Sequence, residues 1–231
     1  MFRKYEKTYR VLVPQISTKG KHYLSDADTK KLLNGNVVIT EKMDGANVGI
    51  IRHKDHFRLQ KRGSLVDVGE HYQFNFFKAW TTQNHDKLMQ IPKNTILYGE
   101  LMICKHTVFY DMLPDYFLAF AWLNRKNGEY YHWNEMEELC EKIGLYTVPH
   151  LASIPGPNKD DLFDFIPNPS TYGHEQAEGL VVWNYKKNIR GKIVLKKFQD
   201  SMDTIGHWAS KPVTRNIVSD VCHCDKDKDD G

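Results

Sequence analysis

Apolar and polar residues fall into short alternating or wholly apolar runs over much of this chain, a period that predicts strands more often than helices. Residues 36–40, 47–52 and 57–61 are rich in β-branched and apolar side chains and are separated by short polar turns, which predicts an antiparallel meander. Residues 97–102 and 116–124 read as buried strands, the second turning at Lys126-Asn127-Gly128 into 129–132. Helical spacing appears twice. Residues 70–80 carry Tyr72, Phe76, Phe77 and Trp80 as a stripe facing the core, and 134–143 follow an Asn134 cap with Glu137 three residues on, stopping at Gly144. Between 154 and 173, Pro155, Pro157, Pro167 and Pro169 mark a loop with a short helix over 160–165. Residues 179–183 and 192–198 are the last strands, on either side of a hairpin turn over 186–191.

Composition narrows the class without choosing a function. A chain of 231 residues with 41% hydrophobic content is long enough for a real core. The formal charge is +3, so a nucleic-acid surface has to come from local clustering of cations. Cys104, Cys140, Cys222 and Cys224 lack the spacing of a closed zinc site and read as reduced thiols. Nothing approaches the roughly 20 apolar residues of a membrane span, nor does an apolar run follow Met1-Phe2-Arg3-Lys4 as a signal peptide requires. These features predict a soluble, intracellular, cytoplasmic protein.

The candidate chemistry lies between the first two strands. Lys42-Met43-Asp44-Gly45 sets an amine at a tight bend between apolar runs, where it is held to meet an electrophile. A solvent-exposed lysine beside a hairpin turn fits this segment alone equally well. The other motifs decide between them. In chain order they are Lys61-Arg62-Gly63 at the end of the strand over 57–61, Leu97-Tyr98-Gly99-Glu100-Leu101, Phe117-Leu118-Ala119-Phe120-Ala121, Glu178-Gly179-Leu180-Val181-Val182, and Lys192-Ile193-Val194-Leu195-Lys196-Lys197-Phe198.

Taken in that order, these motifs resemble the covalent nucleotidyltransferase superfamily of polynucleotide ligases and mRNA-capping enzymes over roughly residues 1–200. The start Met1-Phe2-Arg3-Lys4-Tyr5, the flank Thr40-Glu41-Lys42 and Asn47 are most similar to the phage double-strand RNA ligases and the RNA-editing ligases. Phage relatives can carry histidine where this chain has Asp44, so that residue leaves RNA against DNA open. A phage- or virus-encoded origin is compatible with the likeness. The resemblance implies an α+β adenylation domain of antiparallel sheets flanked by helices. With residues 201–231 as a short tail, helical over 199–210 and disordered at its polar end, the sequence offers no room for an OB-fold, which needs about 50 residues.

The resemblance also implies the site. Lys42 is the nucleophile, and Glu41, Asn47, Arg62, Glu100, Phe117, Lys196 and Lys197 bind the nucleotide, with Phe120 competing for the base-stacking role and Lys192 an outside candidate for the phosphates. Asp44, Glu100 and Glu178 are the metal carboxylates. A lysine titrates near about 10.4, so the site has to lower Lys42 by several units before it attacks the α-phosphorus of ATP. Mg²⁺, or Mn²⁺, suits carboxylates shared with phosphate oxygens. The implied activity is ATP-dependent joining of RNA 3′-OH and 5′-phosphate ends, at nicks or free ends, through a lysyl-AMP. Further nucleic-acid contacts come from a protein partner if the chain does not supply them. A minimal ATP-dependent DNA ligase and a non-catalytic nucleic-acid-binding relative are the alternatives.

Overall fold

The meander is present, but its first strand belongs to a different sheet from the other two. In the computed structural model, which describes residues 2–13, 22–67, 71–198 and 214–219, strands β1 (Tyr9–Arg10), β2 (Asn36–Glu41), β3 (Ala46–Arg52), β4 (Phe57–Lys61) and β5 (Thr95–Leu101) come first. They are followed by β6 (Phe117–Asn124), β7 (Tyr146–Thr147), β8 (His150–Pro155), β9 (Gly179–Asn184) and β10 (Ile189–Val194). One sheet has the order β1-β10-β9-β2-β8 and the other β4-β3-β5-β6-β7. All pairings are antiparallel except the short edge additions β1 on β10 and β7 on β6. Neither sheet closes into a barrel among the described residues.

The break between β2 and β3 is what makes a site. Alternation along β3 sends Val48 and Ile50 into the main core, while Ile51 joins Ile96, Tyr98, Ala121, Leu123 and Trp183 in a second cluster that spans both sheets. Helix α2 (Tyr72–Gln83) buries Phe77 and Trp80, in agreement with the aromatic stripe, and α3 (His85–Met89) adds Leu88. A helix without a clear apolar stripe, α1 (Asp26–Leu33), was not evident from the pattern; it is capped by Ser25 and buries Leu32 beside β10. The order of elements is mixed α+β, as the sequence predicts.

Four local expectations change. Helix α4 (Trp133–Ile143) is capped by His132, whose ring accepts the Asn134 N–H while the Glu135 carboxylate accepts the His132 N–H, so the cap lies two residues earlier than Asn134. Residues 129–132 form only an isolated bridge, Leu123 to Tyr130, and β8 occupies part of the proline-rich stretch, followed by a 3₁₀ helix at Asp160–Phe165. The last strand ends at Val194 instead of Phe198, because Val194 pairs with Gly179, the first residue of β9, and beyond it the partner strand is exhausted. Residues 196–198 turn helical.

Cys104 and Cys140 are buried free thiols. Cys222, Cys224, the helical tail expected from 199 and the polar end 225–231 lie outside the described residues, except that 214–219 form backbone hydrogen bonds with the chain between 103 and 113. No helix among the described residues is long and apolar enough to cross a membrane.

Candidate active site

Residues 42–45 bridge the two sheets, and each is fixed by a different part of the fold. The Lys42 N–H donates to the Gly179 carbonyl at 3.0 Å, and Met43 is buried in the core. The Asp44 N–H donates to the Tyr110 hydroxyl oxygen at 3.0 Å, and Asp44 Oδ2 accepts the amides of Thr107 at 2.6 Å and Val108 at 3.1 Å. Gly45 N–H donates to Glu100 Oε1 at 3.2 Å. The segment is therefore a rigid bridge, not an exposed hairpin turn.

Above it opens a cavity of about 970 Å³ lined by Lys42, Asp44, Asn47, Arg62, Glu100 and Glu178, together with Glu41. Lys42 Nζ is paired directly with the Glu178 carboxylate, whose side chain is 8% exposed. Lys192 of β10 also lines the cavity, which takes in Val181, Trp183, Phe120, Tyr5 and Tyr185 as an aromatic end. That far end is ordered by the Arg190 guanidinium, 4.5 Å from the Tyr5 ring and 4.7 Å from the Trp183 ring, which also pairs with Glu6 at 3.1 Å.

The electrostatics differ from the sequence expectation for Lys42. Burial lowers its proton affinity, but Glu178, Asp44 and Glu100 together outweigh burial and hold it above the ordinary lysine value. Burial also raises Glu178, and it raises Glu100 to about 7, with Asp44 and Glu178 adding to the rise and Lys42 opposing it. Lys192 moves the other way, down to about 8, through burial and repulsion from Lys42 against the pull of Glu178. The cause is simple: three carboxylates act on one partly buried ammonium.

Three carboxylates acting on one point of the cavity suit a divalent cation. Among the described residues no three His, Cys, Asp or Glu side chains form a self-contained metal cage. Asp44 already accepts two amides, Glu178 already faces an ammonium, and the set thus fits a hard cation that completes its shell with phosphate oxygens and water.

Three expected site residues lie elsewhere. Phe117 is fully buried on the opposite side of β6, 5.1 Å from the Trp80 ring and stacked at 6.1 Å on Phe77. Phe120 is the aromatic of that strand which lines the cavity. Lys196 and Lys197 are exposed on the helical turn after β10, with the Lys197 ammonium over the Phe198 ring, and β10 presents Lys192 in their stead. Glu41 reaches the cavity wall, yet its carboxylate is engaged by the Ser170 hydroxyl and by the Thr171 amide at 3.0 Å. Tyr110 and the amides of Thr107 and Val108 carry no sequence signal at all, since they act on Asp44 from more than sixty residues away.

The RNA ligase family model matches residues 35–197, which contain every element around the cavity except β1 and the N-terminal segment. The fold is similar to that of a Naegleria gruberi RNA ligase with PPi, with a TM-score of 0.66 and 18% identity over 87% of this chain and 58% of that one. A lysine variant of that ligase with ATP and Mn gives 0.65 at 16% identity, covering 86% and 62% of the two chains. Another, with AMP and Mn, gives 0.62 at 16%, covering 87% and 58%. This chain thus spans about three-fifths of the length of those ligases. No curated protein matches it by sequence. With more than half of its residues matched by the family model, the chain belongs to the RNA ligase family.

Proposed function

We propose that the chain is an ATP-dependent RNA ligase domain that becomes adenylated on Lys42 and joins RNA 3′-OH and 5′-phosphate ends. The observation that carries this reading is a partly buried lysine in contact with Glu178, with Asp44 and Glu100 acting on it, in the lining of a cavity with an aromatic end. A structural ion pair has no need of two further carboxylates and a second, partly buried lysine around it. Solved variants of the Naegleria gruberi ligase alter a lysine and the aspartate two positions later, and a glutamate and the lysine fourteen positions later. Lys42 with Asp44, and Glu178 with Lys192, have those same separations here, which supports Lys192 over Lys196 as the phosphate-facing lysine.

The chemistry proceeds as a nucleotidyl transfer. The adenine lies against Phe120 at the aromatic end, and Arg62 and Asn47 orient the ribose and α-phosphate. Lys42 gives up its proton toward the carboxylates, of which Glu178 is in direct contact and has its own proton affinity raised by burial. The neutral amine attacks the α-phosphorus, an N–P bond forms, and the P–O bond to pyrophosphate breaks. Lys192 meets phosphate charge as it develops. Asp44, Glu100 and Glu178 would hold a Mg²⁺ or Mn²⁺, which would supply neutralisation of that charge and weaken the carboxylates' hold on the lysine proton. AMP then passes to an RNA 5′-phosphate, and the adjoining 3′-OH displaces it. A partner protein supplies further RNA contacts where the domain's own surface is insufficient.

The test is mass spectrometry of chain incubated with ATP and Mg²⁺. One AMP adduct is expected on the wild-type chain and none on Lys42→Ala. An adduct of equal yield on the variant ends the assignment.

A further inference from the structure

We infer that residues 214–219 are a clasp on the active-site loop, and that Asn216 is a positioning residue for Asp44. The Asn216 side chain is 1% exposed and both of its polar groups are spent on the ends of one loop: Nδ2 donates to the Met102 carbonyl at 2.7 Å, and Oδ1 accepts the Tyr110 N–H at 3.1 Å. Met102 directly follows β5, which carries Glu100. Tyr110 provides the hydroxyl that receives the Asp44 N–H, and between the two lie Thr107 and Val108, whose amides hold the Asp44 carboxylate. One side chain therefore fixes the span of the loop that aims Asp44.

The rest of the segment reinforces that span. Lys105 N–H donates to the Thr214 carbonyl at 2.8 Å, Asn216 N–H to Ile103 at 3.2 Å, and Ile217 N–H to Tyr110 at 2.9 Å. Leu113 N–H donates to Ile217 at 3.1 Å, Ser219 N–H to Leu113 at 2.9 Å, and the Tyr116 hydroxyl to the Asn216 carbonyl at 3.2 Å. Residues 103–110 belong to no strand of either sheet, so the clasp is their ladder. Without it, the two amides on Asp44 depend on the core packing of Val108 and Tyr110 and on Glu175, which accepts the Phe109 N–H at 3.4 Å and pairs with Lys105 at 3.2 Å, none of which fixes the span between Met102 and Tyr110. A carboxylate displaced by about an ångström costs up to a hundredfold in a step that depends on aligned groups.

This inference rests on the adenylation reading, and its test separates the two. Full-length wild type, Asn216→Ala and the milder Asn216→Ser are compared for single-turnover adenylation across ATP concentrations and for amide hydrogen exchange. Both variants are expected to lose about tenfold or more in rate at saturating ATP with less than about a threefold change in half-saturating ATP, because nucleotide contacts are intact while alignment is not. Exchange is expected to quicken over 103–110 and stay unchanged in β6. Placed on Asp44→Ala, Asn216→Ala is expected to cost less than about twofold more, since the group it positions is gone. Wild-type rates with wild-type exchange overturn the clasp, as does the same fold-loss in the Asp44→Ala background or loosening spread over all strands. If the wild-type chain forms no adduct, the adenylation reading fails, and the exchange pattern alone decides whether 214–219 hold the loop.

Discussion

Lys192 is the residue whose environment most directly sets a measurable. It lines the same cavity as Lys42, and burial together with repulsion from the Lys42 ammonium brings its proton affinity down to about 8. The charge is therefore present at pH 7 and mostly lost by pH 9 in the ligand-free protein. Binding of a non-reactive ATP analogue should weaken by about tenfold over that interval, because roughly one lysine in ten remains charged a unit above its midpoint. An arginine keeps its charge throughout, so Lys192→Arg should flatten the profile, and Lys192→Ala should bind weakly at every pH. Lys196→Ala and Lys197→Ala should follow the wild-type curve; either one abolishing binding would return the phosphate role to the exposed turn. The residue types needed here were readable from the sequence, but the choice among Lys192, Lys196 and Lys197 was not. That choice depends on where β10 ends, which β9 decides by running out of partners at Gly179.

At the level of elements, the exchange of Phe117 for Phe120 has a definite cause. The β5–β6 register shifts between Tyr98 and Gly99, and Gly99 has no side chain, so the Phe117 ring lies over its Cα on the way to Trp80 and Phe77. A Cβ at Gly99 would lie 2.4 Å from Phe117 Cζ and 2.8 Å from the Leu118 carbonyl. Gly99→Ala should thus destabilise by about 1–3 kcal/mol through overpacking, and Phe117→Leu should recover part of that loss in the double variant. Chemical denaturation checks both; additive losses would show that the ring is not what the methyl meets. Phe117→Leu alone should leave nucleotide affinity near wild type, whereas Phe120→Ala should not. A bulge is a pairing property, invisible in the alternation along either strand. The strands themselves were legible because their apolar runs are local, and so was the aromatic stripe of α2. Helix α1 was not, since its packing rests chiefly on Leu32 and a Ser25 cap.

Across the whole molecule, the cavity exists because β2 ends one sheet's contribution and β3 begins the other's, leaving residues 42–45 to cross between them. Sequence order alone suggests three hairpin-linked strands in one sheet, and only long-range pairing of β2 with β8 and β9 separates them. The same separation brings cations from distant segments around one cavity: Lys7, Arg10, Arg62, Lys105 and Lys192 all line it, although the chain's formal charge is only +3. Phosphate neutralisation by such a cluster makes affinity for nucleic acid fall with salt, with a slope near −0.9 per neutralised phosphate on a duplex. Salt dependence is blind to sugar, so it does not distinguish RNA from DNA. The distinction lies at the acceptor end, where a ribose offers a 2′-OH that donates and accepts and that deoxyribose lacks. If the domain reads RNA ends, a nicked duplex with ribonucleotides on the 3′-OH side should be sealed faster than its all-DNA counterpart, with adenylation of Lys42 unaffected by the choice of strand. Comparing both nicks at one salt concentration, with pre-adenylated protein so that only the later steps are timed, isolates the sugar. Equal or faster sealing of the all-DNA nick would remove the acceptor hydroxyl from recognition and make this domain a DNA-sealing member of an RNA ligase family.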